Sequence, residues 1–326
     1  MIKYFRTGLV LFLLVSAYSL RASPGKGLRY AALKNKAELC ILDSNYTGAL
    51  HYYRAAFACH PAAQRDLYNA FIAAYYCRDS AMAKAYYNEM VALGQTAQRL
   101  STLRFGRLHR NEPLYRWLER DYEALHARAL GSPVAAYAAV MDSVFDADQA
   151  VRVNYQHLSP EEIKVMIARD SVNITFLKNL IASHGFPGYR QTGLFDRATE
   201  GWVHGNSAIF FLLWHSRNLS TELDTEMIAA VHAGDLPPED YALIMDSRTH
   251  ENRYGSRPPG YNVQAEVTFD LLPDTAEAAI DRHRAGLGLC NLADYRRKLV
   301  FQHRGSVFYF FSGMHMALAL SFLPIQ

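Results

Sequence analysis

The sequence predicts a mainly α fold, with N-terminal helical hairpins packed on a C-terminal α-helical domain and few or no strands. Three observations predict it. Apolar and small residues recur at three- and four-residue steps, as in Ala49, Tyr52, Tyr53, Ala56 and again in Met82, Ala85, Tyr86, Met90. Stop signals such as Asp43-Ser44-Asn45, His60-Pro61, Gly94 and Gly131-Ser132-Pro133 break that pattern at helix-length intervals. Strand signals are scarce, and 263–269 alone reads as one short strand.

The elements follow from the stops. Helices are expected over 31–42, 46–58, 66–77 and 80–93, then over 95–130 with a break near Asn111-Glu112-Pro113. Ser132 reads as an N-cap before Pro133, and the helix it opens turns polar toward 154. Ser159 with Glu162 is a capping box opening a helix to 183, which Gly185 and Pro187 end. Further helices are expected over 205–217, 221–234, 237–248, 274–284 and 292–301. The segment 251–264 holds Gly255, Pro258, Pro259 and Gly260 and cannot be regular structure.

Composition bounds compartment and partners. The 326 residues carry 34 basic and 31 acidic side chains and no dense Lys/Arg run, so nucleic acid is not indicated. Lys3 and Arg6 precede an apolar run over 8–20 and then small residues. This reads as a signal peptide, 1–22, of an exported bacterial protein, periplasmic or extracellular. The rest divides into 23–130, the hairpin region, 131–302, a second helical domain, and 303–326, an apolar end. Arg296, Arg297, Lys298 and Arg304 before that end would lie on the wrong side for a membrane span after export. A buried terminal segment is therefore the expectation, with membrane insertion as the alternative. Cys40, Cys59, Cys77 and Cys290 read either as one local disulfide or as small buried hydrophobes, and without Cys-x-x-Cys no zinc ribbon is expected.

The polar residues that look placed lie between 146 and 260. Asp148, Gln149 and Arg152 share one helix face, and Asp170 and Asn173 share another. His215 ends an apolar helix, and Asp246 with His250 forms an i,i+4 pair. The loop Asn252-Arg253-Tyr254-Gly255 offers a guanidinium, a phenol and a glycine. Apolar neighbours such as Ile174, Leu177, Phe211 and Leu212 leave little water for a carboxylate, so charges there must pair or shift. The expected pocket comprises Asp148, Arg152, Asp170, Asn173, His215, Asp246 and Tyr254. No H-E-x-x-H, G-x-S-x-G, P-loop or G-x-G-x-x-G motif is present, so no metal and no cofactor is expected.

Two resemblances add to this reading. Tyr46-x-x-Ala49-Leu50-x-x-Tyr53 and Ala81-x-x-x-Ala85-Tyr86 resemble tetratricopeptide-type hairpins, which repeat at about 34 residues. The match covers about two hairpins, fewer than stand alone, so the block should lean on its neighbour. The second half resembles a bacterial domain-of-unknown-function family. Its pattern is Asp-Gln-x-x-Arg, Asp-x-x-Asn, Gly-Trp-Pro, Gln-His, Asp-Arg and Tyr-Gly-Thr. Here Asp148-Gln149-x-x-Arg152, Asp170-x-x-Asn173, Gly185-Phe186-Pro187, Trp214-His215, Asp246-Ser247 and Tyr254-Gly255-Ser256 stand in that order. This resemblance implies positions and no reaction.

The function expected is an exported interaction or ligand-binding module for a protein, a peptide or a small ligand. The alternative is a hydrolase-like enzyme with a polar cleft built from Asp170, His215 and Asp246.

Overall fold

The computed structural model describes residues 25–93, 97–129, 133–188, 208–216, 218, 220–256, 269, 272–311 and 315–316. The expected signal peptide, the loop beyond 188, all but Phe269 of the strand expected over 263–269 and the chain after 316 lie outside the described residues. Among the described residues every regular element is helical. The mainly α fold expected from the periodicity is the fold observed.

Four helices come first among the described residues: α1 (Lys26–Leu42), α2 (Tyr46–Cys59), α3 (Gln64–Tyr76) and α4 (Ser80–Ala92). Two of them, α2 and α4, start on side chains that satisfy the free N–H groups of a first turn. Asn45 accepts from Gly48 N at 2.9 Å, and Asp79 accepts from Met82 N at 3.0 Å. The stretch expected as one helix up to residue 110 is instead α5 (Ala97–Thr102) and α6 (Arg104–His109). Leu103 between them is extended, with ψ 156°, and buries its side chain in the core. Its three-residue spacing from Leu100 matches a helical stripe, so the sequence hides this turn. α7 (Pro113–Ala129) follows.

The second half holds α8 (Pro133–Ala150), α9 (Pro160–His184), α10 (Ala208–His215), α11 (Asp224–Ala233), α12 (Pro238–Thr249), α13 (Asp274–Gly286) and α14 (Leu292–His303). Ser159 and Glu162 form the expected capping box on α9, and Gly185 ends that helix at φ 80°. One-turn 3₁₀ segments stand at Tyr155–His157 and Ser220–Leu223.

Two apolar cores result. The first joins Ile41, Tyr53, Leu67 and Phe71 to Leu299, Phe308 and Phe310. By packing, α14 and the segment after it therefore go with the N-terminal helices. Asn69 fixes that segment through both edges of its amide, donating to Tyr309 O at 2.7 Å and accepting from Tyr309 N at 2.9 Å. Gln302 Oε1 accepts from Phe310 N at 2.7 Å and Phe311 N at 2.9 Å. Side-chain amides thus satisfy a buried irregular backbone. Among the described residues no helix is long and apolar enough to cross a membrane. The second core gathers Met141, Ile174, Leu177, Phe210, Leu213, Met227 and Leu243. Phe186, from the Gly-Phe-Pro segment, is buried in it.

The halves meet closely. A Cβ on Gly27 of α1 would lie 2.3 Å from Gly234 N at the end of α11, so only glycine fits there. A buried ion pair crosses the same boundary, with Lys34 Nζ 2.6 Å from Glu239 Oε1. Another ties α14 to α1, with Lys298 Nζ 2.6 Å from Glu38 Oε2 and 2.7 Å from Asn35 Oδ1. All four cysteines are free, half-buried thiols.

Candidate functional site

Asp148, in the last turn of α8, is fully buried and is the hub of the site. An ionised carboxylate out of water must accept several hydrogen bonds. Asp148 has four side-chain donors around it. His215 Nδ1 lies 2.7 Å from Oδ2, and Gln149 Nε2 donates to the same oxygen at 2.8 Å. Asn173 Nδ2 donates to Oδ1 at 2.9 Å, and Arg152 Nη1 is 2.9 Å from that oxygen. Arg152 Nη1 also donates to the Asp148 carbonyl at 2.9 Å, while Nη2 donates to Asp170 Oδ1. One guanidinium is therefore held between two carboxylates. Ser216 Oγ donates to the Asp170 carbonyl at 3.3 Å, tying the end of α10 to α9.

The electrostatics follow from burial. Burial pushes the Asp170 carboxyl above its ordinary value, against the Arg152 hydrogen bond and charge that lower it, and Asp148 adds to the rise. His215 is mostly enclosed, 16% of its side chain being exposed. Because an ionised carboxylate only accepts, the proton of neutral His215 belongs on Nδ1, which leaves Nε2 as an acceptor. The ring packs against Phe211 at 6.1 Å between centroids. The cluster can therefore offer one oriented imidazole lone pair beside a paired Arg–Asp couple. Among the described residues no group of three or more His, Cys, Asp or Glu side chains stands where it could hold a metal ion.

Five of the seven expected pocket residues come together here: Asp148, Arg152, Asp170, Asn173 and His215. Asp246 and Tyr254 do not join them and belong to a second network. Asp246 accepts from Tyr254 N and Ser256 N, both at 2.9 Å, and from Ser256 Oγ at 2.7 Å. It satisfies the backbone of the turn that Gly255, at φ 59°, makes possible. Arg284 Nη1 donates to the Tyr254 carbonyl at 2.8 Å, and the Tyr254 ring packs against Tyr241 and His283. Burial raises the Asp246 carboxyl, and these donors and Arg284 oppose the rise.

Sequence reasoning missed a third set of charges, in the interface between the halves. Tyr30 donates to Asp66 at 2.5 Å, and Lys34, Glu38, Glu239 and Lys298 are buried beside it. Burial pushes the Asp66 carboxyl up to about 6. Burial also opposes the charge on Glu239, but Lys34 overrides it and holds that carboxyl down at about 2. A signal was present. Lys34, Asn35 and Glu38 stand among Ala31, Ala37 and Ile41, so charged groups interrupt the apolar stripe of α1.

Compared with family models, curated proteins and solved structures, the chain has no match.

Proposed function

We propose that this chain is an exported helical ligand-binding module that engages its ligand at His215. The observation that carries the reading is the set of four donors converging on the buried Asp148 carboxylate. Such an arrangement costs desolvation and yields a fixed imidazole, which a purely structural core does not require. The N-terminal hairpins, read as tetratricopeptide-like, act as the support against which the second half packs. The charged and apolar start of the sequence supports export.

Native mass spectrometry of the purified chain against a panel of peptides and small metabolites tests this reading. A species bound by the wild type and lost in a folded His215→Ala variant is the expected outcome. Binding that survives His215→Ala, or no binding by the wild type, contradicts it.

A second reading is favoured by the same dyad. A carboxylate on Nδ1 is how a general-base histidine is oriented, and Nε2 is then the proton acceptor. In this reading His215 is the base, Asp148 positions it and Asp170 is held by Arg152, while Asp246 has no part. Hydrolysis of activated esters that disappears in His215→Ala would select it over simple binding.

A further inference from the structure

Asp170 marks the level at which α9 loses its neighbours. Arg152, just past the end of α8, donates to its carboxylate, and Ser216, just past the end of α10, donates to its carbonyl. Both neighbouring helices stop there, while α9 starts at Pro160. The first turns of α9, ~15 Å of helix at the usual rise, extend beyond them. The connection 151–159 returns to that start, yet no residue from 160 to 168 is buried.

Those first turns are apolar on the side that the rest of α9 buries. Ile163, Ile167, Asp170, Ile174 and Leu177 recur at three- and four-residue steps and so share one side of the helix. Ile174 and Leu177 lie in the second core, whereas Ile163 and Ile167 are 41% and 51% exposed. A core-facing stripe left bare at one end is a surface built to be covered.

The charges at its edge say by what. Glu162, Met166 and Arg169 follow one another at the same steps along that edge. Arg169 has no acidic partner among the described residues. Glu162 uses one oxygen, Oε2, in the capping box. An edge with an acid at one end and a base at the other is complementary to its own reversed copy. A twofold axis midway between the two sets Glu162 of each copy beside Arg169 of the other, with Ile163 opposite Met166 and Ile167. Glu161 next to Glu162 makes an anionic membrane surface a poor match.

We propose that the bare first turns of α9 pair antiparallel with those of a second copy, making the chain a weak homodimer. Three turns per copy form a small interface, so association belongs to the micromolar range. The face does not depend on the role given to His215.

Sedimentation velocity of the mature chain across the micromolar range tests the proposal. A reversible monomer–dimer equilibrium is expected. Ile167→Lys places a charge in the pairing face and should weaken the dimer roughly tenfold or more. Arg169→Glu sets like charges opposite each other and should weaken it severalfold. Val165→Lys, two residues from each isoleucine and so on the opposite side, should leave the dimer unchanged. All three positions lie outside the cores, and circular dichroism checks that each variant folds. A wild type that stays monomeric, whether or not it binds lipid vesicles, a dimer indifferent to Ile167→Lys, or one that Val165→Lys breaks equally would each overturn the proposal.

Discussion

Lys298 on α14 and Glu38 on α1 form an ion pair at 2.6 Å, with side chains only 1% and 2% exposed. The residues are 260 positions apart, so the pair closes the chain on itself. Among the described residues Glu38 Oε1 has no hydrogen-bond partner. Removing one ion leaves the other stranded in the core. Lys298→Met should cost about 3–5 kcal/mol in urea unfolding, whereas Lys298→Met combined with Glu38→Leu should recover most of that loss. Additive losses would mean that the two side chains are not energetically coupled, against the contact seen between them.

Asp66 sets a pH dependence whose sign is fixed. Its carboxyl rises from 3.8 to about 6 on folding, so between those values the folded chain binds more proton than the unfolded one. The stabilising contribution is full below 3.8 and is lost as pH rises through about 6. A shift of that size corresponds to roughly 3 kcal/mol. Glu239 runs the other way, giving stability above 4.5 that is lost only as pH falls toward about 2. Thermal melts of Asp66→Asn against the wild type should converge near pH 4 and separate by pH 6–7 in favour of the variant, values that follow from the same shift. Parallel melting curves across that window would remove Asp66 from the account.

Gly27 is expected to tolerate no side chain. An added Cβ would meet the backbone at the end of α11, at 2.3 Å from Gly234 N and 2.6 Å from Val231 O. Gly27→Ala forces α1 away from α11 and should cost about 1–3 kcal/mol despite the better helix propensity of alanine. Hydrogen exchange should speed up in both helices together. Faster exchange in α1 alone would show that the contact does not couple the halves.

The capping box at the start of α9 can be tested apart from the core. Ser159→Ala removes the acceptor for Glu162 N and should cost about 1 kcal/mol. The loss should appear as fraying of the first turn, with Asp170 and Asn173, about three turns from the helix start, still protected. A collapse of the Asp148 network in this variant would make α9 a single cooperative unit.

Part of the site was legible because helices repeat. Asp148 and Arg152 are four apart and Asp170 and Asn173 three apart, so each pair had to share a face, and both faces turn to one point. Asp246 and Tyr254 were misplaced for a local reason. The chain folds back so that backbone N–H groups eight and ten residues on reach the Asp246 carboxylate, and helical periodicity carries no trace of such a turn. The ion pair between halves was hidden more deeply. Lys34 and Glu239 are 205 positions apart, and spacing along one helix names a face without naming its partner. The break at Leu103 was hidden because a buried residue at a turn keeps the same apolar spacing as a buried residue in a helix.

The most direct measurement concerns the proton on His215. Long-range ¹⁵N–¹H correlation of the ring, at a pH of about 8 where an ordinary histidine is neutral, reports the tautomer. His215→Ala identifies the resonance. The expected result is a proton on Nδ1 and a bare Nε2 in the wild type, lost or mixed in Asp148→Asn. A wild-type ring protonated on Nε2, or one whose tautomer ignores Asp148→Asn, would contradict the claim that Asp148 poises His215 for a ligand.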